Sequence, residues 1–287
     1  MIRSFVCKVL YCLSLFCVFI TVVWGIVVFN RSTLCKTKAN ILFLGNSRIQ
    51  YGIDDRLIPN SLNAGLNADN YVFSYLKLKL LKKYNPQIDT LFLGIDNVSV
   101  FHYFQVSSDK FHPFFWDLLT IEDWFFFLKN DRAIFQSPLE WLKILYPLKS
   151  YMGSVSFQQL GIGGFSELHR DKLKIDIDRY HKQKRNTSIS KEENISLFQD
   201  LYLRKIISFC NQKNIKLFLL NMPSYPINNN ESDDLGKYIH SNFSEIPYYD
   251  FRSTHLPDSC YGDISHLNYK GARAFTEIFY NVVWSEK

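Results

Sequence analysis

Three kinds of hydrophobic pattern follow one another along the chain. The first is a run from Val9 to Phe29 without a single charged side chain. At about 1.5 Å of rise per residue, a helix over this run covers about 30 Å, the hydrocarbon thickness of a bilayer. The second is a short apolar block that stops at a glycine or a polar turn. Ile41 to Leu44 stops at Gly45, Leu91 to Leu93 at Gly94, and Ile215 to Leu220 at Asn221. Blocks this short and this continuous predict parallel strands buried on both faces. The third is helical spacing. Tyr71, Val72, Tyr75, Leu76, Leu78 and Leu80 recur on one stripe across 69–83, lysines fill the last turns, and Asn85-Pro86 ends the helix.

In chain order these patterns predict a strand over 40–45, a short strand within 60–67, a helix over 69–83 and a strand over 91–95. After a long interruption come a helix ending near 211, a strand over 215–220, a helix over 233–242, a short strand over 246–251 and a last helix over 269–283. Strands joined by crossover helices make a parallel α/β sheet. The interruption, about 100–190, is dense in aromatic residues between Phe101 and Tyr146. Short helices are predicted there near 117–129 and 138–146. A small helical core is the first reading of this insertion. A face resting on the membrane and a platform for sugars or acyl chains are the alternatives. Residues 166–190 carry so many charges that a solvated, partly disordered loop is expected, with a basic patch for an anionic polymer as the second reading. Ser190 and Glu193 have capping-box spacing for the helix that follows.

Charge changes the picture only when it is divided. Residues 1–38 hold five of the 33 basic side chains and none of the 27 acidic ones, so the remainder stands at 28 against 27. The basic balance belongs to the N-terminal segment, and no nucleic-acid partner is expected. The expected organisation is a cytoplasmic tail over 1–8, a transmembrane signal anchor over 9–29, a linker over 30–38 and one α/β domain over 39–287. A cleaved secretory signal is the alternative to the anchor. The anchor places the domain on the periplasmic or extracellular side. Cys7, Cys12, Cys17 and Cys35 lie in or beside the anchor, and no C-x-x-C pair exists. No metal and no cofactor are expected. Cys210 and Cys260 are left either to pair or to stay as two thiols.

Candidate chemistry sits at both ends of the domain. Gly45-Asn46-Ser47-Arg48 follows the first strand, where an open α/β sheet binds its ligands. Alone, this is as good a helix cap as a nucleophile. Gly262-Asp263-Ile264-Ser265-His266 precedes the last helix, and its Asp and His stand three residues apart on one loop. A serine hydroxyl needs a base, histidine is that base near neutral pH, and a carboxylate on the other ring nitrogen holds the right tautomer. Asp263 could equally cap the next helix, leaving His266 merely exposed.

Taken together, these blocks resemble the SGNH (GDSL-like) hydrolase family. Gly45-Asn46-Ser47 stands for its first block, Asn63-Ala64-Gly65 for its second and Asp263-Ile264-Ser265-His266 for its last. The resemblance covers about 40–100 and 190–287 and implies a three-layer, flavodoxin-like parallel sheet. It also implies Ser47 as nucleophile, His266 as general base and Asp263 as its orienter, with the oxyanion held by the N–H groups of Ser47 and Gly65. The family's third block, G-x-N-D, stands here as Gly94-Ile95-Asp96-Asn97, with the last two residues exchanged. Asn97 is the candidate third donor, and a carboxylate at Asp96 would repel an oxyanion. Asn46 and Arg48 are candidates for substrate binding. The implied function is a membrane-anchored serine esterase removing O-acyl groups, acetyl foremost, from an envelope carbohydrate. One alternative is an O-acyltransferase that takes its acyl group from a membrane partner protein and passes it to a glycan acceptor. The other is a non-catalytic glycan-binding or assembly protein.

Overall fold

The computed structural model describes residues 2–101, 113–130, 157, 160–184, 195–227 and 234–284. The chain divides into two compact units, Met1–Lys36 with Gln105–Gly161, and Thr37–Phe104 with Ile162–Lys287.

The second unit is the α/β part. Its strands are β1 (Ile41–Leu44), β2 (Ser61–Asn63), β3 (Thr90–Gly94), β4 (Lys216–Asn221) and β5 (Tyr248–Asp250). They form one sheet in the order β2-β1-β3-β4-β5, every pair parallel. This is the order of flavodoxin-like doubly wound sheets, in which the direction of winding reverses beside the first strand. The apolar blocks form the middle of the sheet because strands covered on both faces need apolar side chains at every position. Phe43, Phe92 and Phe218 stand side by side in register. Their rings stack at 5.1 and 4.9 Å. Phe279 of the last helix meets Phe43 and Phe92 edge-on at 5.7 and 5.1 Å. Strand alternation sends Leu42, Leu44, Leu91, Leu93 and Leu219 to the opposite face, all of them fully buried.

The helices of this unit that precede β4 are α2 (Ser47–Gly52), α3 (Tyr71–Tyr84) and α4 (Asn97–Phe101), then α6 (Leu173–Lys184) and α7 (Leu197–Gln212). After it come α8 (Asp234–Phe243) and α9 (Tyr269–Trp284). Helices α3 and α7 pack on each other, as do α2 and α9. Strand and helix positions follow the hydrophobic pattern to within a residue or two at most ends. The exception is α6, which lies in the stretch expected to be a solvated loop. Its charges face water, but Leu173 is buried in the core and Ile177 packs against it. Two apolar anchors outweigh the charge of the intervening positions. Cys210 and Cys260 are buried free thiols rather than a bridge.

The first unit holds α1 (Ile2–Leu34), a 3₁₀ turn at Pro113–Leu118 and α5 (Ile121–Asn130). Helix α1 continues through Leu34, into the stretch read as a linker. Its segment Ser4–Val22 has a mean hydropathy of 2.3 and no burial. This is an N-terminal apolar helix of the kind that a signal anchor or a secretory signal supplies. Arg31 is buried, and its two terminal nitrogens meet the two carboxylate oxygens of Asp117 at 2.6 Å each. Phe115 and Phe127 are buried, whereas Ile121 and Phe125 are exposed. The helix expected near 138–146 and the capping box at Ser190 and Glu193 lie outside the described residues.

Candidate active site

The turn that carries Ser47 is built around the carboxyl ends of three strands. Gly45 leaves β1 at φ +146°, a region that disfavours side chains. A Cβ there would lie 2.8 Å from the side chain of Ile49. Gly94, ending β3, and Gly65, after β2, would collide with the same isoleucine if they carried a Cβ. One apolar residue of α2 thus plugs the space between three strand ends, and the glycines let it in. Asn46 caps the helix, its Oδ1 accepting from the Arg48 N–H at 2.9 Å. Ser47 is therefore held at the first helical position, just beyond the strand end.

Across this turn lies the loop between Gly262 and Asn268. Ser47 Oγ is 2.8 Å from His266 Nε2. His266 Nδ1 is 2.9 Å from Asp263 Oδ1 and 3.1 Å from Oδ2. With Nδ1–H given to the carboxylate, Nε2 is the acceptor for the serine hydroxyl. The same Asp263 Oδ1 accepts the backbone N–H groups of Ser265 and His266, both at 2.9 Å. The loop is thus folded around its own carboxylate. The cap of α9 is a different residue, Asn268, whose Oδ1 accepts from Lys270 and Gly271 N–H. Burial works against the charge on Asp263. The bonds to His266, the Ser265 N–H and Arg170 outweigh it and hold the carboxyl well below the usual carboxylate range.

Two neighbours of this line carry no signature in the sequence. Arg170 Nη1 donates to Asp263 Oδ2 at 2.5 Å, from within the charged run read as a loop. The Tyr51 ring meets His266 edge-on at 5.7 Å. Both come from positions whose residue type is ordinary in its local pattern, so only the fold brings them to the site.

The oxyanion side differs from what the motif implies. The Ser47 N–H makes no hydrogen bond among the described residues. The Gly65 N–H is bonded to Asn63 Oδ1 at 2.8 Å, so in this state it is not available as the second donor. Asn63 is fully buried, and its amide also donates to the Ile49 and Ile53 carbonyls at 2.8 and 2.7 Å. It satisfies the end of α2 and the second block in one residue. Beneath this loop the buried Lys77 donates to Ala64 O at 2.6 Å and pairs with Asp69 at 2.6 Å. The Gly164 N–H donates to Gly65 O at 3.1 Å.

Asp96 is buried and faces away from the repulsive role foreseen for it. Its Oδ2 accepts from Asn46 Nδ2 at 2.8 Å and lies 3.6 Å from Arg48 Nε. Its Oδ1 accepts the Ser99 N–H and hydroxyl at 2.7 and 2.8 Å. Burial opposes ionisation, but Arg48, Asn46 and Ser99 together lower its pKa. Asn46 also donates to Ser99 Oγ at 2.9 Å. Its carbonyl and both amide hydrogens are used inside the turn, which Asn46 holds together. Arg48 is likewise directed to Asp96, with its side chain 12% exposed. Asn97 opens α4 in the third block, and its Oδ1 is buried. No group of at least three His, Cys, Asp or Glu side chains suited to a metal occurs among the described residues.

A protein-family model matches residues 170–286, and its description names no activity. No curated protein is matched. Among solved structures, similarity extends to a candidate platelet activating factor from Streptococcus pneumonia. It is 12% identical, with 96% of this chain and 99% of that one covered, at a TM-score of 0.41. A candidate acylhydrolase from Bacteroides fragilis is 10% identical, with 90% and 93% covered, at a TM-score of 0.38.

Proposed function

We propose that this chain is a membrane-anchored serine esterase of the SGNH type, removing O-acyl groups, acetyl foremost, from an envelope or extracellular carbohydrate. The observation that carries the reading is the continuous line from Ser47 Oγ through His266 to Asp263, at 2.8 and 2.9 Å. In the first step His266 Nε2 takes the hydroxyl proton as Ser47 Oγ attacks the ester carbonyl. The imidazolium is held by Asp263 and then gives its proton to the departing sugar hydroxyl. Water, deprotonated by the same nitrogen, attacks the acyl-serine and releases the free acid, restoring Ser47. General-base help of this kind is worth about 10²–10⁴-fold. The oxyanion is met by the Ser47 N–H and, once it turns from Asn63, by the Gly65 N–H. Such a donor is worth about 2.7–4 kcal/mol.

An O-acyltransferase is the second reading, favoured by the apolar helix α1, which suits delivery of the acyl group by a membrane partner. Both readings share the acyl-enzyme and differ in whether water or a sugar hydroxyl resolves it. The test is acetyl release from an acetylated glycan by the full chain, with and without a free glycan acceptor. Acetate release supports the esterase, and transfer without release supports the transferase. Neither product, from protein shown to be folded, contradicts both and leaves a non-catalytic glycan-binding protein.

A further inference from the structure

Arg170, which bonds Asp263, also lines a cavity of about 510 Å³ that includes none of Ser47, Asp263 and His266 in its wall. Its wall comes from the segment leading into α6, the first turns of α6, the 258–261 segment and the start of α9, all within one compact unit. A volume of this size suits a small ligand of one or two rings. Arg170, 40% exposed at its side chain, is shared between this wall and Asp263. His169 and Tyr269 stand at the rim with their rings 4.8 Å apart. Tyr261, also in the wall, is 2% exposed, and its hydroxyl is buried without a hydrogen-bond partner. An unmet hydroxyl at that depth costs about 1–3 kcal/mol and is expected to have a partner in some state of the protein.

The charges of the wall narrow the ligand. The wall carries three cationic side chains, Arg170, Lys174 and Lys270, against two carboxylates, Asp171 and Asp258, and Arg170 is already bound to Asp263 outside it. A phosphate site needs an excess of positive charge, and an acyl-chain site needs an apolar wall. This wall leaves only Arg170 in excess, already engaged by Asp263, and divides its surface between polar groups and apolar side chains. It interleaves donors and acceptors around aromatic rings, which matches a ligand rich in hydroxyl groups with apolar ring faces. We infer that this cavity is a saccharide-binding site, separate from the Ser47 centre and joined to it through the Arg170–Asp263 bond. The inference deepens the carbohydrate part of the proposed function, but the site would bind whether or not Ser47 reacts.

The test uses the full chain in a detergent without a sugar headgroup. Saturation-transfer NMR is recorded with maltose, with the disaccharide of N-acetylglucosamine and with galacturonic acid. Inorganic phosphate and octanoate are the controls, followed by displacement titration. At least one saccharide is expected to bind in the wild type and equally in Ser47→Ala, and about tenfold more weakly in Tyr269→Ala and Lys174→Ala. Both of these changes are at exposed positions and should leave the fold intact, which circular dichroism checks. Absence of saccharide binding, binding of phosphate or octanoate alone, or binding unchanged in both wall variants would each overturn the inference. Failure of Ser47 to react with ester substrates, with saccharide binding intact, would instead sink the esterase reading and leave this site standing.

Discussion

The two sides of the Ser47 turn are in different states. On one side the triad is closed: each hydrogen bond from Ser47 to Asp263 is made, and a fourth group, Arg170, completes the carboxylate. On the other side the groups of the second and third blocks are bonded inward. The Gly65 N–H is bonded to Asn63, and Asp96 is bonded to Asn46 and Ser99. The difference lies in what each group needs without substrate. A histidine and a carboxylate satisfy one another, so this line is complete without substrate. An oxyanion donor has no partner until substrate arrives, and in a buried loop it takes the nearest acceptor.

The comparison is broken most severely on the triad side. His266→Ala removes the base, and acylation by a fluorophosphonate or an activated ester should fall about 10⁴-fold or more, with the folding transition little changed. A loss under tenfold would mean that the closed line does no chemistry. The inward side should answer in stability instead. Asp96→Ala leaves Arg48 and Asn46 without their carboxylate in a buried turn, and should lower unfolding free energy by about 3–5 kcal/mol in denaturant titration. Unchanged stability would show that Asp96 does not organise the turn. Gly65→Ala places a Cβ 2.7 Å from the Gln50 backbone nitrogen. It should cost about 1–3 kcal/mol by overpacking. Acylation should fall further than stability does, because the second oxyanion donor moves with the loop.

Acid should act through both sides. The pKa values of Asp96 and Asp263 are lowered on folding. Each carboxylate therefore stabilises the protein fully above its unfolded pKa, near about 4. That contribution disappears as pH falls through the lower, folded value. Melting temperature measured downward from pH 5 should drop, and Asp96→Asn should flatten the drop. The smallest effect belongs to Arg170→Gln. Because Arg170 is half in solvent, it should cost about 1 kcal/mol or less in stability. Its effect should appear as a shift in the pH profile of acylation, with no change in the substrate dependence at the pH optimum.

Much of this arrangement was legible in the chain because it rests on pattern. Ile41 to Leu44, Leu91 to Ile95 and Ile215 to Leu220 read as strands from their short apolar runs, and strands separated by helices read as a parallel sheet. Ser47, Asp263 and His266 were legible because two short motifs at opposite ends of the domain constrain one another. Directions of hydrogen bonds were not. Asn63 and Gly65 resemble the second block, yet whether the Gly65 N–H faces Asn63 or a ligand depends on a peptide orientation that residue type does not encode. Asp96 reads as a misplaced charge until Asn46, Arg48 and Ser99 are seen around it. Arg170 lay hidden in a charged run whose helix is anchored by only Leu173 and Ile177, too few apolar positions to reveal a period.

The central claim is that Ser47 is a nucleophile activated by His266. It is tested most directly by incubating the full chain with a fluorophosphonate and locating the adduct by peptide mass spectrometry. The account predicts a single adduct on Ser47, absent in Ser47→Ala and reduced to trace in His266→Ala. A folded wild-type protein without adduct, or with the adduct on another residue, would contradict it.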